Sequence, residues 1–125
     1  MDKNKKRPVH LNLFVIRLPV TGVVSILHRL TGVLLVLAFP VFLVLLQQSL
    51  RDPAGFADVR ELLRSPMGRV LSLLAVWLIA QHFFSGIRHL LLDFDIGIER
   101  SRARLGSWLV FVASGITVLV AWGLA

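Results

Sequence analysis

Three long apolar segments, separated by polar and charged stretches, dominate the pattern of the chain. They run roughly over residues 23–46, 67–92 and 106–125. Each has at least 20 residues, the length that an α-helix needs to cross a hydrocarbon core of about 30 Å. The pattern therefore predicts an all-α membrane protein with three transmembrane helices, organised as a single membrane-anchor domain over residues 1–125.

The connection over residues 47–66 is polar but carries its own helical pattern. Asp52-Pro53-Ala54-Gly55 is typical of a turn. Four apolar residues then recur at helical spacing: Phe56, Val59, Leu62 and Leu63. We expect a short helix at the membrane interface here. After the second apolar segment, Gly97 is expected to terminate the helix.

Composition supports a lipid environment and narrows the cofactor chemistry. The chain of 125 residues is 56% hydrophobic, with a mean hydropathy of +0.78, above the roughly 45–50% apolar content of soluble domains. It has no cysteine. It therefore holds no iron–sulfur cluster, c-type haem or disulfide of its own.

The net charge of +7 reflects membrane topology and does not indicate nucleic-acid binding. Basic residues cluster at the ends of the apolar segments. Nine basic residues are expected on the N-terminal side of the membrane: Lys3, Lys5, Lys6, Arg7, Arg17, Arg29, Arg100, Arg102 and Arg104. Four are expected on the opposite side: Arg51, Arg60, Arg64 and Arg69. The bias predicts a cytoplasmic N-terminus and an outer C-terminus. The basic start is not followed directly by the apolar stretch of a signal peptide, so a cleaved signal peptide is not expected.

A first group of polar residues lies at the start of the first apolar segment. Ser25 and Arg29 are four residues apart and share a helix face, with His28 beside them. A hydroxyl, an imidazole and a guanidinium are suited to binding a quinone carbonyl or a carboxylate such as a haem propionate. An equally weighted alternative is that His28 and Arg29 only extend to the lipid headgroups.

A second group lies in the second apolar segment, where four residues fall on one helical stripe: His82, Gly86, His89 and Asp93. Glycine beside a histidine leaves space for a flat macrocycle, and imidazole is a usual ligand of haem iron. The alternatives are a packing histidine at position 82 and an interfacial pair of Arg88 and His89.

Helix geometry gives a rough depth for each histidine. At about 1.5 Å per residue, His82 lies close to the membrane centre, whereas His28 and His89 lie about 12–15 Å towards the cytoplasm, level with each other. A ligand opposite His82 would then have to come from another polypeptide, or be absent. A rival hypothesis places iron between His28 and His89. Asp93 and Glu99 are candidates for supplying protons, although Glu99 is more typical of a loop carboxylate.

Both polar groups belong to longer motifs that resemble a known family. Arg7-Pro8-Val9-His10-Leu11-Asn12-Leu13, followed by Ser25-Ile26-Leu27-His28-Arg29-Leu30-Thr31-Gly32, resembles the N-terminal signature of the cytochrome b556 subunit of succinate dehydrogenase. His82-Phe83-Phe84-Ser85-Gly86-Ile87-Arg88-His89-Leu90-Leu91-Leu92-Asp93 resembles its second signature. The resemblance extends over the whole chain; Gln81 departs from the family pattern.

The resemblance implies specific roles for these residues. His82 would be an axial ligand of haem b, with His28, Arg29 and His89 near the propionates or in a secondary position. Ser25 and Arg29 would contact ubiquinone. A second membrane-anchor subunit would supply the other axial histidine within a multi-subunit helical bundle. An iron–sulfur subunit and a flavoprotein subunit would dock on the cytoplasmic face of a bacterial-type inner membrane.

Two other functions remain open at this stage. One is the haem b anchor of a related fumarate reductase, because the sequence does not give the direction of electron flow. The other is a small transporter or channel subunit, in which Arg29, Arg88 and Asp93 would line a path.

Overall fold

The computed structural model of the protein describes residues 18–124, which form four α-helices. In chain order these are α1 (Val20–Arg51), α2 (Pro53–Arg64), α3 (Pro66–Asp93) and α4 (Arg100–Leu124). The three predicted transmembrane helices and the predicted short helix between the first two are confirmed as helices. The basic N-terminal segment, with the Arg7–Leu13 motif, lies outside the described residues.

Two helices are longer than their apolar segments. Helix α1 begins three residues before residue 23 and continues to Arg51, and α4 begins at Arg100 instead of residue 106. Hydropathy marks the part of a helix that lies in lipid. The basic residues at positions 100–104 are good helix formers, so the helix extends through them. Helix α1 also continues through Pro40.

Proline and a capping side chain begin both α2 and α3. The carboxylate of Asp52 accepts a hydrogen bond of 2.7 Å from the backbone N–H of Gly55, and Pro53 is the first residue of α2. Ser65 caps α3 in the same way, through the N–H of Gly68 at 3.0 Å, with Pro66 following it. Proline favours the first helical position because its φ is already helical. The prediction of a turn at 52–55 is therefore wrong for residues 53–55, which form the start of helix α2.

The end of α3 also differs from the prediction that Gly97 terminates it. Asp95 has a left-handed φ of 58°, and the N–H groups of Asp95 and Ile96 donate to the carbonyls of Leu92 and Leu91 at 3.0 and 2.9 Å. This pair of bonds is a Schellman motif, in which one left-handed residue stops the helix. Aspartate adopts that conformation more readily than most residues. Gly97, with a φ of 81°, continues the turn.

Helix α3 is the centre of the bundle, because it packs along α1 on one side and α4 on the other. The described residues bury only four apolar side chains, which are Val24, Leu78, Ala80 and Val110. At about 1.5 Å per residue the long helices measure roughly 48, 42 and 38 Å, more than the thickness of a hydrocarbon core. Their apolar surfaces therefore suit lipid as the surrounding solvent.

Candidate functional site

Two glycines allow α1 and α3 to bring their histidines into the space between the helices. A Cβ atom on Gly32 of α1 would lie 3.0 Å from Cε1 of His82. A Cβ atom on Gly86 of α3 would lie 3.5 Å from Nε2 of His28. Each histidine thus lies over a glycine of the opposite helix. These two contacts define the antiparallel register of the pair, which also brings Ser25 level with His89.

Three imidazole rings form one continuous stack between the helices. The rings of His28 and His82 are nearly parallel, with centroids 4.3 Å apart and an interplanar angle of 20°. On its other side, His28 lies against His89, with centroids 4.9 Å apart and an angle of 41°. Sequence spacing did not predict that the three rings meet.

The stack corrects the depth estimated from the sequence. His28 lies level with Gly86, between His82 and His89 on α3, whereas the estimate placed it level with His89. The estimate took the middle of each apolar segment as the membrane centre, but the contacts of Gly32 and Gly86 determine how the two helices are displaced along each other. The prediction that His82 has no histidine near its depth in this chain is therefore wrong.

The geometry nevertheless argues against iron between two histidines of this chain. A metal between two imidazoles forms nitrogen bonds of about 2.0 Å on each side, which places the ring centroids roughly 6 Å apart. The centroids of His28 and His89 are only 4.9 Å apart, and those of His28 and His82 only 4.3 Å apart. The rival position between His28 and His89 does not fit this arrangement.

The hydrogen bonds of His82 define which ring nitrogen is free. Its Nδ1 lies 3.1 Å from the backbone carbonyl oxygen of His28 and 3.3 Å from the hydroxyl of Thr31. The Thr31 hydroxyl has its own acceptor in the carbonyl of Leu27 at 2.8 Å. Nδ1 therefore carries the proton and donates it, so Nε2 keeps its lone pair.

This arrangement fits an axial ligand of haem iron. A histidine that binds a metal usually donates its other ring N–H to a backbone carbonyl or a carboxylate, which fixes the orientation of the ring. Among residues 18–124, no hydrogen bond engages Nε2 of His82. The same residues contain no cluster of three His, Asp or Glu side chains that would hold a metal ion by themselves. Haem iron needs only one or two protein ligands.

Thr31 is the residue of this site whose role the sequence did not reveal. It is almost completely buried and lies one turn from Leu27 and His28 on α1. Its presence in the first motif, directly before Gly32, was the available signal.

The two residues predicted to contact quinone lie one helical turn apart on α1. Ser25 is half-buried at the level of His89, and Arg29 is exposed on the outer flank of α1. Neither hydrogen bonds nor ion pairs tie Arg29 to another side chain within residues 18–124. Its guanidinium is therefore available to a carboxylate or carbonyl that approaches from outside the chain.

The two acidic candidates differ in their surroundings. Asp93 is the exposed last residue of α3 and lies at the same end of the bundle as Ser25. Glu99 forms an exposed ion pair of 3.4 Å with Arg102. Glu99 thus has the surroundings of a loop carboxylate, the alternative that the sequence favoured.

Arg88 faces away from this site. It is 8% exposed and lies between α3 and α4, where its Nη2 donates to the carbonyl of Ala103 at 3.4 Å. Gln81 and Ser85 share this buried face, and Nε2 of Gln81 donates to the hydroxyl oxygen of Ser85 at 3.4 Å. Arg88 is therefore not an interfacial partner of His89. It also does not line a common path with Arg29 and Asp93, which are exposed.

Comparison with known proteins places these observations in a family. A profile of the succinate dehydrogenase/fumarate reductase transmembrane subunit family matches residues 3–121. The succinate dehydrogenase cytochrome b556 subunit of Coxiella burnetii is 33% identical over 122 residues, covering 94% of this chain and 95% of the relative. That of Paracoccus denitrificans is 29% identical over 120 residues, covering 95% and 92%.

A third relative is a cytochrome b560 subunit of succinate dehydrogenase. The succinate dehydrogenase cytochrome b560 subunit of Reclinomonas americana is 26% identical over 127 residues, covering 98% of this chain and 88% of the relative. The family match and the three long apolar helices together identify an integral membrane protein. The chain belongs to the succinate dehydrogenase/fumarate reductase transmembrane subunit family, as its two sequence motifs predicted.

Proposed function

We propose that the chain is the membrane-anchor subunit of a succinate dehydrogenase, where it binds haem b and helps to form the site of ubiquinone reduction. The observation that carries the proposal is the state of His82, whose Nδ1–H is held by the carbonyl of His28. Succinate oxidation is favoured over fumarate reduction as the physiological direction, since the relatives described above are named as succinate dehydrogenase subunits.

In this proposal Nε2 of His82 would hold the haem iron. When bound, the haem supplies a one-electron carrier beside the quinone. Thr31 and the carbonyl of His28 hold the His82 ring in one orientation. His28 and Arg29 are proposed to face the propionates, with His89 behind them in the stack. A second membrane-anchor subunit would supply the other histidine, because His28 lies against the face of the His82 ring and not across from its Nε2.

The quinone is proposed to bind at the end of the stack where Ser25 lies, with Arg29 one turn further along α1. The Ser25 hydroxyl and the Arg29 guanidinium would donate hydrogen bonds to a quinone carbonyl oxygen, and thereby favour the negative charge that develops there as electrons arrive. Full reduction also consumes two protons. Asp93, exposed at the same end, is the proposed entry point for them, with Glu99 as the less favoured one because it is paired with Arg102.

The electrons would come from an iron–sulfur subunit, which receives them from a flavoprotein subunit. This division of labour is required because the chain has no cysteine to hold a cluster. The bias of basic residues supports an N-terminus in the cytoplasm and a C-terminus in the periplasm of a bacterial-type inner membrane. The two partners would then dock on the side where Ser25 and Asp93 lie.

A visible spectrum of the purified complex tests the haem assignment. We expect the His82→Ala complex to lose its b-type absorbance. Phe83→Ala is the matched control, because Phe83 is the next residue on α3 and its side chain is exposed. Equal spectra for the His82→Ala and wild-type complexes would contradict the assignment.

A second experiment tests the quinone site. Ser25→Ala and Arg29→Leu are expected to lower ubiquinone reduction while succinate oxidation by an artificial acceptor is preserved. The two activities separate because the artificial acceptor takes electrons before they reach this chain. If both activities fell equally, the residues would be needed for assembly and not for quinone binding.

A further inference from the structure

A crevice unrelated to the histidine stack opens between α3 and α4, near the end of the bundle where α2 lies. It has a volume of about 320 Å³ and is lined by Arg69, Ser72, Leu73, Val76, Ala121 and Trp122. A second cavity of about 230 Å³ continues from Val76 along the same two helices, as far as Phe83 and Thr117. Because both cavities are lined by Val76, they form one groove, which is cationic at the end with Arg69 and apolar along the rest of its length.

We propose that this groove binds an anionic phospholipid, with its phosphate at Arg69 and one acyl chain along α3 and α4. The site is separate from the proposed haem and quinone site and does not depend on it. Three features carry the proposal: the length of the groove, its apolar lining and its charge.

The length of the groove matches one leaflet of a bilayer. From Arg69 to Phe83 is fourteen residues of α3, or about 21 Å at 1.5 Å per residue. Half of a hydrocarbon core is about 15 Å, and the headgroup region adds several more. A lipid standing upright in the leaflet on the α2 side would therefore extend along the whole groove.

The lining of the second cavity favours an acyl chain. Five of its six lining residues are apolar, and the sixth, Thr117, donates its hydroxyl to the carbonyl of Ala113 in the same helix at 2.9 Å. A hydrocarbon chain in this part of the groove therefore leaves no lining side chain with an unsatisfied polar group. The occupant that suits this lining is a single flexible apolar chain.

The charge at the open end selects an anion. Arg69 is exposed, and no carboxylate of the described residues lies within the 4 Å of an ion pair with it. Its planar guanidinium suits two oxygens of one phosphate, and the hydroxyl of Ser72 lines the same cavity. Trp122 is 69% exposed at this end, as is usual for tryptophan at the level of lipid headgroups.

Lipid retention by the intact complex tests the proposal. The complex is exchanged into nanodiscs of phosphatidylglycerol and phosphatidylcholine in equal amounts, released, and examined by native mass spectrometry. We expect wild type to retain phosphatidylglycerol in preference. Arg69→Gln should lower that retention roughly five- to tenfold, and Arg69→Lys should restore part of it. The matched control is Arg64→Gln, since Arg64 is an exposed arginine at the end of α2 that does not line the groove.

Equal retention by the Arg69→Gln and Arg64→Gln complexes would overturn the proposal, as would equal retention of the two lipids by wild type. Photo-crosslinking identifies the occupant directly. With p-benzoylphenylalanine in place of Trp122, we expect an adduct with a phospholipid mass. A crosslink to another polypeptide would show that a partner subunit covers the groove, and would refute lipid binding there.

Discussion

Adding a single methyl group at Gly32 tests how closely α1 determines the position of His82. A Cβ atom there would lie 3.0 Å from Cε1 and 3.4 Å from Nδ1 of the imidazole. Ordinary contacts begin at 3.4 Å, so the His82 ring must retreat by about 0.4 Å in Gly32→Ala. That movement would lengthen the 3.1 Å bond from Nδ1 to the His28 carbonyl to about 3.5 Å, beyond the usual hydrogen-bond range.

The loss of such a supporting bond typically lowers metal affinity by about 10- to 100-fold. We therefore expect the Gly32→Ala complex to bind haem about 10- to 100-fold more weakly, measured by haem titration of the complex assembled without haem.

Two glycines serve as controls. A Cβ on Gly86 would make an ordinary contact of 3.5 Å with His28, and one on Gly115 would meet nothing within 4 Å. All three changes share the helix-propensity gain of about 0.5–1 kcal/mol from glycine to alanine. Equal haem affinity in the Gly32→Ala and Gly115→Ala complexes would show that Gly32 does not position His82.

Three further changes test individual contacts. Thr31→Val removes one acceptor of the His82 Nδ1–H and should raise the haem midpoint potential in a redox titration; an unchanged potential would contradict that contact. Gln81→Leu removes a buried Oε1 that has no hydrogen-bond partner among residues 18–124 and should stabilise the complex by about 1 kcal/mol in thermal unfolding, whereas a loss of stability would reveal a partner. Ser114→Leu overfills a fully buried position of α4 and should cost about 1–3 kcal/mol, with Ser114→Ala nearly neutral; equal unfolding temperatures would contradict this packing.

The sequence predicted the helices well because hydropathy responds directly to the lipid environment. It predicted their ends less well. The polar residues 100–104 continue α4, and Asp95 ends α3 although Gly97 seemed the better candidate. Both depend on backbone hydrogen bonding beyond the apolar segments, which a hydropathy pattern does not report.

The candidate site was predicted in its residues but not in its geometry. The motifs brought out His28, His82 and His89, yet their stacking depends on the register of α1 against α3, which Gly32 and Gly86 determine through close contacts. The role of Thr31 was missed for the same reason. Its hydroxyl first bonds within its own helix, and it meets His82 only once the two helices pack.

Chemical rescue with imidazole tests the claim that Nε2 of His82 holds the haem iron. The His82→Gly complex is purified, and its visible spectrum is recorded before and after addition of imidazole. We predict that the variant loses the low-spin b-type spectrum and that imidazole restores it by replacing the missing ligand. A variant spectrum equal to that of wild type, or a lost spectrum that imidazole does not restore, would contradict the claim.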